Sequence, residues 1–103
     1  MSDLDDVATE LRRIVDRLNS APLTKVEPLI PRCHELAVFL VDRTRALGAA
    51  IPLDAEVPLV GSSATGAQLA VLGRDYLEAA RTTGQSETAD VLERLAALRR
   101  ELP

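Results

Sequence analysis

The two side chains best suited to catalysis, Cys33 and His34, are sequence neighbours and are the only thiol and imidazole in the chain. A nucleophile and its base must lie within hydrogen-bonding reach of each other. Consecutive residues on a helix point about 100° apart, so the two side chains do not form such a pair by themselves. Cys33 continues an apolar face and is predicted to be a core thiol. His34 has charged neighbours on both sides and is predicted at the boundary or the surface.

Metal and phosphate sites find little support in the sequence. One histidine and scattered carboxylates form no H-E-x-x-H motif and no oxygen-rich calcium loop. The stretch from Gly61 to Gly66 lacks the lysine and the preceding strand of a phosphate-binding loop. We therefore predict no catalytic residue, no metal and no cofactor. The alternative is a small helical enzyme with a site at a dimer interface, built from His34, Glu35 and Asp42.

The composition favours long helices as the elements that position these side chains. Ala and Leu contribute 15 and 17 of the 103 residues, and the aromatic residues are Phe39 and Tyr76 alone. Sheets are usually richer in aromatic and β-branched residues. The 47% of hydrophobic and 27% of charged residues are typical of a folded chain. At this length we expect one domain over residues 1–103.

Apolar residues repeat at helical spacing in four segments of the chain. The repeats predict helices at about 3–19, 31–47, 66–82 and 86–102, with a proline-containing loop at 49–64. Helices that carry one apolar face bury it by packing on each other. The predicted fold is all-α, with two helical hairpins that form a four-helix bundle in one chain or a dimer of hairpins.

Three of the helix starts carry capping signals. Ser2 with Asp5, and Thr65 with Gln68, have the spacing of a capping box, in which two side chains bond the free backbone N–H groups of the first turn. Ser86 is placed to cap the last helix. These residues predict N-termini close to positions 3, 66 and 86.

The charge balance argues against nucleic acid as a partner. Sixteen acidic and twelve basic residues give a net charge of −4, and the basic residues form no continuous stripe. The alternative is a DNA-binding regulator, because residues 80–86 resemble the A-x-x-x-G-x-S turn of a helix-turn-helix within 79–94. Its recognition helix would carry Glu87, Asp90 and Glu93 towards the DNA phosphates, which makes this the weaker reading.

A cytoplasmic location is expected from three features of the sequence. The opening MSDLDD is acidic, whereas a secretory signal begins with basic residues. The longest apolar run, 36–41, is far shorter than the roughly 20 residues that span a bilayer, so we predict no membrane partner. A single cysteine forms no internal disulfide and suits a reducing compartment. Eleven of the twelve basic residues are Arg, and with the many Ala residues this indicates a bacterial source.

One short motif resembles part of a tetratricopeptide repeat. Residues 72–76 read L-G-R-D-Y, which is similar to the L-G-x-x-Y of that repeat, and Ala89 would be its small packing residue. A solenoid needs several stacked copies, and the chain contains no second one. We therefore interpret the motif as ordinary hairpin packing.

Two further segments, DRLNSAPLTKVEPL (16–29) and GSSATGAQLAVLGRDYLEAA (61–80), cover about a third of the chain. They resemble short Ala/Leu-rich actinobacterial helical proteins that accompany polymorphic toxins or type VII-like secretion systems. The resemblance implies an immunity or accessory role beside a toxin or a secretion system. It assigns no functional residue.

Apolar stripes are the feature that this sequence offers to other molecules. The segment LAVFLV is apolar nearly all round, and the loop at 49–64 is rich in Leu and Val. We predict a non-enzymatic protein–protein interaction module that binds a protein partner or forms a homodimer. The predicted contact residues are Leu36, Phe39, Leu40, Val41, Leu53, Val57 and Leu59. The competing interpretation is that all seven are core residues.

Overall fold

The computed structural model describes residues 3–84 and 88–103, and within them the regular structure is entirely helical. The elements are α1 (Asp3–Ser20), α2 (Leu23–Val26), a 3₁₀ turn (Glu27–Leu29), α3 (Ile30–Ala46), α4 (Thr65–Thr83) and α5 (Ala89–Glu101). The all-α prediction is confirmed. The predicted caps Ser2 and Ser86 lie outside the described residues.

Helix α1 follows the heptad-like spacing of its apolar residues. Its four buried side chains, Val7, Leu11, Ile14 and Leu18, form one stripe that faces the core. The acidic residues of the first turn lie where the helix dipole favours negative charge.

Proline residues shape the connection between α1 and α3. Pro22 precedes α2, and its carbonyl accepts a hydrogen bond of 2.8 Å from the Lys25 backbone N–H. Pro28 lies in the 3₁₀ turn, and Pro31 lies in the first turn of α3, where a missing N–H costs no helical hydrogen bond. The connection is therefore helical but broken, and its one buried side chain is Val26.

Among the described residues, the four long helices pack in a closed order. Helix α1 packs on α4, α4 on α3, α3 on α5, and α5 on α1. The predicted hairpins would pair α1 with α3 and α4 with α5, but neither of these pairs is among the close neighbours, so the predicted pairing into hairpins is not confirmed. A helical bundle is consistent with this packing.

Three ion pairs join α5 to its two neighbours. Arg99 Nε lies 2.7 Å from Glu10 Oε2 on α1. On α3, Arg32 pairs with Glu101 at 3.2 Å and Arg43 with Asp90 at 3.3 Å. These side chains are partly exposed, so each pair is worth only about 0.2–1 kcal/mol and serves mainly to orient the helix.

Two glycines allow α4 to lie close against α1. A Cβ atom on Gly73 would stand 2.8 Å from a methyl carbon of Leu11, and one on Gly66 would overlap the side chain of Asn19. Because residue 73 meets residue 11 and residue 66 meets residue 19, the two helices run antiparallel. The tetratricopeptide-like glycine is thus a contact point for α1, whereas the interpretation of its motif as packing within a hairpin is not confirmed.

A glycine ends helix α3 and begins the loop that follows it. Gly48 has a φ of 94°, a left-handed conformation that other residues rarely adopt, and its N–H donates to Arg45 O at 2.9 Å. The chain then runs without a helix to Thr65. This segment, residues 47–64, is called the loop below.

Candidate functional site

Two of the seven predicted contact residues belong to the core. Leu36 and Leu40 are 4% and 0% exposed and pack with the other buried side chains. They present almost no surface to a partner, so their assignment to a contact surface is corrected here. The reason is the position of α3 between α4 and α5, which seals the face that these leucines share with Cys33 and Ala37.

Phe39 lies at the edge of the core rather than on a free surface. Its ring is half-buried and packs against core residues. The guanidinium carbon of Arg94 lies 4.5 Å from the ring centroid, a cation–π geometry. The ring is therefore already covered by a side chain of α5.

The remaining four predicted contact residues lie on or beside the loop. Leu53 and Leu59 are 89% and 68% exposed, while Val57 and Val41 are half-buried. Val41 and Val57 line a groove that runs between the loop and α4. The structure thus brings together the loop part of the predicted surface and leaves out most of its α3 part.

Side chains from α3 and α4 hold the loop in place. His34 Nε2 lies 2.9 Å from Val57 O, and since a carbonyl oxygen only accepts, this nitrogen donates. Arg45 donates to Pro52 O at 3.0 Å. Four loop carbonyls are satisfied in this way, because two residues of α4 also donate to the loop.

Those two donors are Thr65 and Gln68, the pair that was predicted to form a capping box. Helix α4 begins without a side-chain cap. Thr65 Oγ1 donates to Gly61 O at 2.9 Å, and Gln68 Nε2 donates to Pro58 O at 2.8 Å. The capping-box prediction is therefore wrong, because both side chains reach back to loop carbonyls instead of to the N–H groups of the first turn.

The space beneath the loop is a groove of about 630 Å³ with an almost wholly apolar lining. Helix α4 contributes one wall, with Val71 half-exposed at 51%, and the loop contributes the other. The lining residues are Val41, Ile51, Ala55, Glu56, Val57, Pro58, Val60, Ala64, Ala67, Gln68, Val71, Leu72 and Asp75. This size lies in the range of about 300–1,000 Å³ that is usual for binding sites.

The groove continues towards the end of α4. A second stretch of about 410 Å³ shares Ile51 and Asp75 with the first and reaches Thr83. We call the two stretches together the loop groove. Among its described lining residues are three carboxylates, Glu56, Asp75 and Glu78, and no Lys, Arg or His. The loop groove is therefore apolar with acidic edges.

Two of the three residues of the alternative enzyme site, His34 and Asp42, have structural partners in this chain, and the neighbouring thiol of Cys33 lies in the core. Cys33 is buried, and burial, followed by the charge of Glu101, raises the pKa of its thiol from 9.0 to about 11. It is therefore protonated at neutral pH, whereas a nucleophile requires the thiolate. His34 holds a loop carbonyl, and Asp42 lies 3.3 Å from Arg45.

The structure of residues 3–84 and 88–103 also bears on metal, membrane and DNA binding. No group of three His, Cys, Asp or Glu side chains is placed to share a metal ion. None of the described helices has the length and hydropathy of a membrane span. The proposed helix-turn-helix at 79–94 includes residues outside the described ranges, so its turn is not described.

Comparisons with protein-family models, with curated proteins and with solved structures find no match to this chain. The function is therefore argued from the geometry and chemistry of its own residues.

Proposed function

We propose that this protein is a non-enzymatic protein–protein interaction module that binds a segment of a partner protein in the loop groove. The observation that carries the proposal is an extended apolar groove whose described lining holds three carboxylates and no cation. Contiguous apolar surface that stays open to solvent is typical of interaction sites.

The shape of the loop groove favours a helix as the bound segment. Its α4 wall runs from Ala64 to Thr83, which is about 28 Å at the helical rise of 1.5 Å per residue. An amphipathic helix inserts anchors at i, i+3, i+4 and i+7 into a groove of this kind. The acidic edges favour Lys or Arg residues beside those anchors.

The resemblance of segments 16–29 and 61–80 supports a more specific proposal. The partner would then be a toxin or a component of a secretion system of the same bacterium, and this protein its cytoplasmic immunity or accessory partner. Self-association through the loop groove is the other form of the proposal, and light scattering of the pure protein distinguishes a homodimer from a monomer.

The test compares two valines that are both exposed. Val71 is 51% exposed in the loop groove, whereas Val38 is 36% exposed on α3 and lines none of its stretches. A Val71→Lys variant removes an apolar contact and adds a charge that repels a cationic segment. A Val38→Lys variant is the matched control.

The experiment is a capture from the native lysate with wild type and both variants, followed by calorimetry with the purified partner. We expect wild type and Val38→Lys to bind the same protein, and Val71→Lys to bind at least tenfold more weakly with unchanged circular dichroism. Equal binding by all three proteins, or a partner without an apolar cationic segment, would contradict the proposal.

A further inference from the structure

A second groove lies where α4 meets α1. It has a volume of about 280 Å³ and is lined by Arg12, Arg74 and Arg81 around an apolar floor that includes the half-buried residues Val15 and Ala70. We call it the arginine groove. Asp16 and two further apolar residues complete its lining.

The three arginines are notable because most other basic side chains of α1, α3 and α5 are already engaged. Five arginines form ion pairs within the chain, and a sixth covers Phe39. Within the described residues, no carboxylate lies within 4.0 Å of Arg12, Arg74 or Arg81. In a chain with a net charge of −4, three such cations converge on one small groove.

The spacing of these arginines indicates the form of the ligand. Arg74 and Arg81 are seven residues apart on α4, so their backbone positions differ by about 10.5 Å along the helix axis. A single anion would require both arginine side chains to bend towards each other along the helix. An extended ligand with acidic groups at the same two-turn spacing matches both positions and covers the apolar floor between them.

From this arrangement we propose that the arginine groove binds an acidic amphipathic helix of a protein partner. The apolar face of that helix packs on Val15 and Ala70, and carboxylates seven residues apart pair with Arg74 and Arg81. A long polyanion such as DNA fits less well, because Asp16 lies in the groove and Asp75 follows Arg74 on the same helix. This site is independent of the loop groove and of its partner.

A pair of synthetic helical peptides provides the test. Each has leucines along one face, and they differ only in carrying Glu or Gln at two positions seven residues apart. We expect the Glu peptide to bind wild type at least tenfold more tightly than the Gln peptide, with an affinity that falls as salt is added.

The protein variants are matched by charge and by position. Arg81 lies in the last turn of α4 and Arg100 in the last turn of α5, and both side chains are exposed. We expect Arg81→Glu, like Arg74→Glu, to weaken binding of the Glu peptide about fivefold, since exposed ion pairs are worth up to about 1 kcal/mol. Arg100→Glu and Val38→Lys, which lie outside both grooves, should leave it unchanged.

Each other outcome overturns the proposal. Equal or undetectable binding of the two peptides shows that the groove does not select carboxylates. Equal effects of Arg81→Glu and Arg100→Glu show attraction to net charge alone. Duplex DNA or anionic lipid vesicles that bind through Arg74 and Arg81 when the Glu peptide does not would assign the groove to phosphates. The Glu peptide and the arginine variants report on the arginine groove, whereas the proposed function is tested by capture of a partner through the loop groove. Failure of the first test therefore does not decide the second.

Discussion

Helix α4 packs closely on helices α1 and α3, whereas the part of its surface that lies beside the loop stays open. Towards α1, Gly66 and Gly73 remove side chains at the contact, and Leu11 fills the space. The loop is held instead by hydrogen bonds to its carbonyls, two from side chains of α4 and two from side chains of α3. The difference teaches that helix-on-helix packing closes the core here, whereas a loop leaves a groove.

The two sides also differ in charge. The loop groove is edged by Glu56, Asp75 and Glu78, while the groove on the α1 side carries three arginines. One helix therefore presents surfaces of opposite sign, which selects different partners on its two sides.

The largest expected effect separates core leucines from loop leucines. Leu40 is fully buried, so we expect Leu40→Ala to lower the free energy of unfolding by about 2–5 kcal/mol. Leu59 is 68% exposed, and Leu59→Ala should change it by less than about 0.5 kcal/mol. Urea denaturation measures both values. Similar losses in the two variants would show that the loop is part of the core.

The pH dependence of stability tests whether water is excluded from the core around Cys33. The pKa of Cys33 is raised to about 11 in the folded protein from 9.0, so the folded state holds this proton more strongly than the unfolded state. The protonated thiol thus favours folding below pH 9, and this contribution is lost as the pH rises through about 11. Two pH units correspond to about 2.7 kcal/mol, which we take as the upper limit.

The measurement is the stability of wild type relative to Cys33→Ala at successive pH values. We expect wild type to lose stability relative to Cys33→Ala between pH 9 and 11. Below pH 8 the difference in stability between the two proteins should stay constant. A difference that is constant over the whole range would show that solvent reaches Cys33.

More of the fold than of the candidate site could be predicted from the sequence. The stripe of Val7, Leu11, Ile14 and Leu18 is a local pattern, and it marks the buried face of α1 correctly. In LAVFLV the apolar residues surround the helix, so no local pattern decides which of them face the core. The positions of α4 and α5 decide it, and they bury Leu36 and Leu40.

The hydrogen bonds that hold the loop were not predictable for a related reason. His34 reaches Val57 across 23 positions of sequence, and Gln68 reaches back ten positions to Pro58. Such contacts depend on the tertiary path of the loop. The capping-box spacing of Thr65 and Gln68 considers only hydrogen bonds to the N–H groups of the first helical turn. In the structure both side chains bond to loop carbonyls instead.

A smaller effect is expected at the glycine contact between α4 and α1. An added methyl group on Gly73 meets Leu11 at 2.8 Å, and overpacking of this kind costs about 1–3 kcal/mol. The better helix propensity of Ala recovers up to about 1 kcal/mol, so we expect Gly73→Ala to destabilise the protein by about 1 kcal/mol. Thermal denaturation measures the change.

The control for this substitution is Gly61→Ala on the loop side. A Cβ atom at Gly61 meets nothing within 4 Å, and its φ is not positive. We expect no loss of stability there, and a gain of up to about 1 kcal/mol from the stiffer unfolded chain. A stable Gly73→Ala variant would show that α1 and α4 are not in close contact.

The smallest effect concerns the local stability of the loop. His34→Ala removes one hydrogen bond to the loop, which is worth about 0.5–1.5 kcal/mol, so loop opening should become about three- to tenfold more frequent. Limited proteolysis within residues 49–60 measures the opening rate, and global stability should change little. Thr83→Ala, which removes a hydrogen bond within α4, is the control. Equal cleavage rates would show that His34 does not hold the loop.

The most direct test of the proposed interaction is photo-crosslinking from the loop groove in the native cell extract. A benzophenone amino acid replaces Val71 in one sample and Val38 in the other, so that the two probes differ only in their place on the surface. We predict one dominant adduct from position 71, formed through an apolar cationic segment of the partner, and no such adduct from position 38. The same adducts from both positions, or none from position 71, would contradict the account.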